Sequence, residues 1–176
     1  QKQYYPQFIE HEYDCSYAGS APSELADIRT EYLKKISEQV GITFFGKKIC
    51  KVMKTKIRPY STHLQQRLIY WQTKCNIDCP ITNERRGFQS YQKVRLFEIP
   101  ACSGILLTTY SDEFAELFEP DKEMCYYRDI DEAVFKAKVI IKNISCLWDM
   151  RVAAYKRAVK DHQFIFRFKA MLKILE

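Results

Sequence analysis

The chain has 176 residues, 47% of them hydrophobic and 28% charged, which suits one globular domain with its own core and excludes an intrinsically disordered chain. Its 28 basic residues exceed its 22 acidic ones by six, a surplus too modest to identify a partner. Apolar runs such as Gly104 to Leu107 or Val139 to Ile141 fall far short of the roughly 20 residues of a membrane span, so no transmembrane helix is expected.

Tyr13-Asp14-Cys15-Ser16-Tyr17-Ala18 alternates and stops at Gly19-Ser20, the pattern of a short strand breaking into a loop. Ser23 reads as the N-cap of a helix carrying Leu25, Ile28, Tyr32, Ile36 and Val40 to a stop at Gly41, and Ile42 to Phe45 returns as strand. Beyond a basic segment, His63 to about Lys74 is predicted helical, with Leu64, Leu68 and Trp71 on one side, and Cys75 to Ile81 as a buried strand. Asn83 to Phe88 reads as a polar loop, Tyr91 to Phe97 as a helix that ends at Pro100, and Gly104 to Thr109 as an apolar strand. Ser111-Asp112 caps a short helix to Leu117, Met124 to Tyr127 is strand, and Asp131 caps a helix to Asn143. Two more helices fill the span from Trp148 to Glu176, the last with Phe164, Phe168, Leu172 and Leu175 along one face. Strands alternating with helices imply an α/β fold: a Rossmann-like parallel sheet with helices on both faces, closed by two C-terminal helices and undivided over residues 1–176.

In such a sheet ligands bind beyond the carboxyl ends of the strands, which directs attention to Gly19-Ser20, Asn83 to Ser90, and Thr108, Thr109 and the residues that follow. No G-x-G-x-x-G follows the first strand and no G-x-x-x-x-G-K-[ST] occurs, against a dinucleotide-dependent dehydrogenase or a P-loop enzyme. A G-x-S-x-G elbow is missing too, and His11, His63 and His162 sit in unrelated contexts, which leaves a hydrolase triad without support. The seven cysteines are odd in number and scattered, as reduced thiols of a cytoplasmic protein would be. Cys75 and Cys79 form a lone C-x3-C that reads as two thiols on a core strand rather than a zinc site, so neither metal nor cofactor is expected. Between Lys47 and Arg58 six basic residues meet no acid. That run reads foremost as a solvated face; its alternative use is to bind nucleic acid or an acidic partner, as a non-catalytic interaction domain. The start, Gln1 to Pro6, has neither an initiator Met nor the layout of a secretory signal, and reads as the start of a processed piece.

Arg95-Leu96-Phe97-Glu98-Ile99-Pro100-Ala101-Cys102, followed by Ile105-Leu106-Leu107-Thr108, resembles the signature RLFEIPACG.FLLT of CgeB-like glycosyltransferases of the spore-maturation type. Glu116 to Glu123 with Tyr127-Arg128-Asp129 is similar to that family's ELFEPGKE...YRD, and Tyr13 to Ser20 to its opening strand DVSFVGS. The resemblance implies the C-terminal, donor-binding half of a two-domain GT-B enzyme, with the N-terminal acceptor domain absent from this chain. The implied ligand is a UDP- or GDP-linked sugar, and the implied partner a missing N-terminal domain or partner subunit. The fragment alone is expected to be catalytically incomplete, and no catalytic residue is assigned.

Carried across residue by residue, Glu98 corresponds to the second acid of the E-x7-E motif that holds the ribose hydroxyls, a task suited to a carboxylate that accepts two hydrogen bonds. The first acid of that motif falls at Ser90, and the family glycine after Pro-Ala-Cys falls at Ser103. Arg95 and Lys93 are expected to neutralise the diphosphate, with N–H groups near Ser90 and Tyr91 assisting at a helix start, and Gly19 and Ser20 approaching from the opposite loop. The competing reading of Glu98 is an ion pair with Arg95 one turn earlier. The apolar face of the last helix implies contact with the missing domain or self-association.

Overall fold

The computed structural model describes residues 10–19, 28–46, 57–58, 62–84, 87–90 and 92–175, with only the backbone for 28, 57, 81–84, 87–90, 167, 170, 171, 174 and 175. Strands β1 (Tyr13–Ala18), β2 (Thr43–Phe45), β3 (Ile57–Arg58), β4 (Thr73–Ile77), β7 (Leu106–Thr109) and β8 (Cys125–Tyr127) form one sheet in the order β3-β2-β1-β4-β7-β8. Every pairing within it is parallel. Side chains alternate across the sheet and divide the core in two. Tyr17, Phe44, Cys75, Ile77, Leu107 and Tyr127 face α1 (Ile28–Val40) and α5 (Ile130–Lys142) through Leu33, Ile36, Ala133, Ala137 and Ile140. Ala18, Phe45, Leu106 and Tyr126 face α2 (His63–Gln72), α3 (Arg95–Ala101), α4 (Asp112–Leu117) and α6 (Trp148–Asp161) through Ile69, Leu96, Ile99, Phe114 and Ala158. This is the expected Rossmann-like architecture, with a 3-10 turn at Ile144–Leu147 before α6 and a closing helix α7 (Phe164–Leu175).

The order reverses between β1 and β4. The chain leaves β1 for α1 on one face and leaves β4 for α3 on the other, which opens a crevice beyond these two strand ends.

Several local expectations are corrected. Residues 83–88 do not form a plain loop: β5 (Ile81–Glu84) and β6 (Gly87–Ser90) pair as an antiparallel hairpin between β4 and α3. The strand expected to reach Ile81 stops at Ile77, and α2 ends at Gln72 because Thr73 turns to extended backbone. The helix expected at Tyr91 begins at Arg95 and runs through Pro100 to Ala101. Its end is a left-handed turn at Ser103 (φ 59°), where Ser103 N–H bonds Pro100 O and Gly104 N–H bonds Ile99 O, closing the last carbonyls. Asp129, not Asp131, caps α5 by accepting from Glu132 N–H at 2.8 Å. Of the basic segment only Ile57 and Arg58 are described, as the edge strand β3; the rest, and the Ser23 cap, lie outside the described residues.

Candidate functional site

β1 and β4 are paired from Tyr13↔Thr73 to Ser16↔Asn76, so the residues after them stand side by side beyond the sheet. Asp78 continues the line of β4. Its N–H donates to Leu107 O at 2.9 Å, its carbonyl accepts from the Tyr127 hydroxyl at 2.9 Å, and its carboxylate Oδ1 accepts from Cys79 N–H at 2.9 Å. The residue is 2% exposed. A buried carboxylate is strongly unfavourable unless cations face it. Arg95 Nη1 stands 3.1 Å and Lys93 Nζ 3.8 Å from Oδ1, on side chains only 15% and 13% exposed. The Arg95 approach is an ion pair without hydrogen-bond alignment.

Two further groups confine the guanidinium of Arg95. It lies 4.9 Å over the centre of the Tyr17 ring, and against Gly19, where a Cβ would fall 2.5 Å from Nη2 and 3.0 Å from Nη1. A side chain at position 19 would therefore displace the guanidinium from this place. Burial opposes the charge on Arg95, but Asp78 and then Tyr17 outweigh it, and the group is held above the usual arginine range. Burial pulls Lys93 below the usual lysine range, with Asp78 acting the other way.

Glu98 lies in the first turn of α3, three residues on from Arg95. It lines a groove of about 350 Å³ with Arg67, Phe97, His162, Phe164 and Ile165. No described residue pairs with its carboxylate, so the bond to Arg95 is not made. Thr108 and Thr109 end β7 as buried residues whose hydroxyls find no hydrogen-bond partner among the described residues. Alternation puts Thr108 on the α3 face, in line with Asp78.

The structure thus brings Gly19, Lys93 and Arg95 together at the crevice and sets Glu98 one turn away in α3. Ser90 belongs to β6, paired with Ile81, and is not at a helix start; Ser20 and Tyr91 lie outside the described residues. Asp78 and Tyr17 escaped the sequence reading. The available signal was an acid within Cys75-Asn76-Ile77-Asp78-Cys79, a run apolar enough that its one charge needs a partner.

Residues 29–173 match the family model described as glycosyl transferase-like. The chain belongs to this family. No curated protein matches it. Among solved structures it is similar to a T4 phage BGT mutant in complex with UDP-glucose, at 14% identity and a TM-score of 0.68 over 94% of this chain and 48% of that one. A glycosyltransferase from Rickettsia africae gives 9% identity and a TM-score of 0.69 over 93% and 47%. An alpha1,3-fucosyltransferase with GDP gives 16% and 0.59 over 82% and 39%. The likeness shows the fold, that of the C-terminal half of GT-B glycosyltransferases, and the chain spans only 39% to 48% of the length of these three structures. No helix among the described residues is long and apolar enough to cross a membrane.

Proposed function

We propose that the chain is the donor-binding domain of a CgeB-like glycosyltransferase and takes a UDP- or GDP-linked sugar in the crevice beyond β1 and β4. The observation that carries this reading is the cluster of Arg95, Lys93 and Asp78, with Arg95 against Gly19: two partly desolvated cations at the switch point of a parallel sheet. Arg95 and Lys93 face the diphosphate; Glu98, one turn on, accepts from the ribose hydroxyls; Thr108 and Thr109 supply hydroxyls at the edge. Gly19, Ser20, Ser90 and Tyr91 complete the rim. That similar folds occur with UDP-glucose and with GDP supports a nucleotide ligand.

The acceptor, in this reading, is held by an N-terminal domain. Phe164, Phe168 and Leu172 of α7 are all more than half exposed and offer the apolar face which that domain, or a second copy, would cover. The described cysteines are all free, and five of the six are buried, which supports a reducing, cytoplasmic setting.

The test is calorimetry with UDP, GDP and a short oligonucleotide at two salt concentrations. The chain should bind one of the nucleoside diphosphates; Arg95→Ala and Glu98→Gln should each weaken that binding by about 1 to 3 kcal/mol through lost charge-assisted bonds. Binding of the oligonucleotide alone, falling steeply with salt, would instead favour an interaction domain.

A further inference from the structure

Asp78 carries the wrong charge to touch a diphosphate, yet it is buried at the crevice with its carboxylate on a backbone N–H. We infer that Asp78 is a positioning residue that fixes the Arg95 guanidinium so that its outer edge meets the diphosphate. The inference rests on the nucleotide reading above.

A guanidinium is a planar fork of five donors, and its value to a phosphate depends on the direction of its edges. Arg95 reaches the crevice on a long side chain from a short helix, so its direction has to come from its neighbours. Tyr17 supplies a face at 4.9 Å. Gly19 supplies a wall against Nη2. Asp78 supplies the charge, 3.1 Å from Nη1. Two bonds from neighbouring strands fix its backbone, its own N–H on Leu107 O and the Tyr127 hydroxyl on its carbonyl, and a third, Cys79 N–H on Oδ1, orients the carboxylate. A carboxylate so fixed can set the orientation of its partner, whereas a mobile one would follow it. Because Arg95 Nη1 and Oδ1 approach without hydrogen-bond alignment, charge rather than shape holds the pair, and an asparagine of the same size would not replace it. Asp78 also separates two cations, since Lys93 Nζ lies 3.8 Å from the same oxygen; without it Lys93 and Arg95 repel across a site with little water to screen them.

The test is a double-mutant cycle read by calorimetry at fixed ionic strength, with UDP and inorganic pyrophosphate as probes, on wild type, Asp78→Asn, Arg95→Ala and the double variant. Melting temperatures without ligand establish that each is folded. Asp78→Asn should weaken UDP binding at least tenfold, the double variant should bind no more weakly than Arg95→Ala alone, and Asp78→Glu should lie between Asp78→Asn and wild type. Equal or tighter binding by Asp78→Asn would mean that Asp78 only offsets positive charge, and would overturn the assignment, as would losses that add in the double variant. Should Asp78→Asn not fold, Asp78→Glu carries the same cycle: a loss with Arg95 present and none in Arg95→Ala supports the role, and the same loss in both backgrounds overturns it. Wild type that binds neither probe refutes the nucleotide reading itself, whereas wild-type binding with no effect at Asp78 refutes only this inference.

Discussion

Replacing Gly19 with alanine disturbs the cluster while leaving every charged group in place. The new Cβ would stand 2.5 Å from Nη2, 3.0 Å from Nη1 and 3.1 Å from Cζ of Arg95, where an ordinary contact is about 3.5 Å or more. The guanidinium has to retreat by about an ångström, enough to open its 3.1 Å approach to Asp78. A charge-assisted contact is worth about 1.5 to 3 kcal/mol, so a ligand that needs Arg95 where it stands should lose about ten- to a hundredfold in affinity. Stability should fall by less, about 1 kcal/mol, because the crevice lets the side chain swing toward water. Calorimetry with UDP and a thermal melt read both effects. Gly41→Ala is the control: φ is +70° with no atom within 4 Å of a new Cβ, so strain alone should cost about 1 kcal/mol and leave affinity unchanged. If Gly19→Ala binds and melts as wild type does, the guanidinium is not confined as described.

Two further predictions concern stability. Alanine at Gly104 would place its Cβ 2.8 Å from the Tyr70 carbonyl and 2.9 Å from Asn76 Nδ2, neither free to move, and should cost about 1 to 3 kcal/mol in urea unfolding. His11 is held down to about 4 from 6.5 by burial, then by Arg151 and Lys74; its neutral form therefore stabilises the fold above pH 6.5, and that contribution is lost as pH falls from 6.5 through 4. His11→Gln should flatten the fall of melting temperature over that interval, and an unchanged slope would mean that His11 does not titrate there.

The order of elements was legible because β1, β7 and β8 are each a short strand pattern leading straight into a helical one, and because a cap such as Ser111, accepting from Phe114 N–H at 3.2 Å, announces itself in sequence. The hairpin β5–β6 was not, since Asn83 to Gly87 has turn composition and lacks the hydrophobic alternation of a half-buried strand. α3 was misplaced because a proline usually ends a helix; Pro100 instead falls in the last turn of a seven-residue helix. Of the site, Arg95, Lys93 and Gly19 were visible as residues, but what joins them was not. Asp78 lies 17 positions before Arg95 in sequence, and only the fold, with β4 paired between β1 and β7, brings it against Arg95.

The central claim, that a nucleoside diphosphate sits in the crevice beyond β1 and β4, is tested most directly by a crystal structure of the chain with UDP or GDP bound. The account predicts phosphate density beside the outer edge of Arg95 and Lys93, with the ribose turned toward Glu98. A nucleotide bound elsewhere, with Arg95 and Asp78 paired and no phosphate near them, would contradict it.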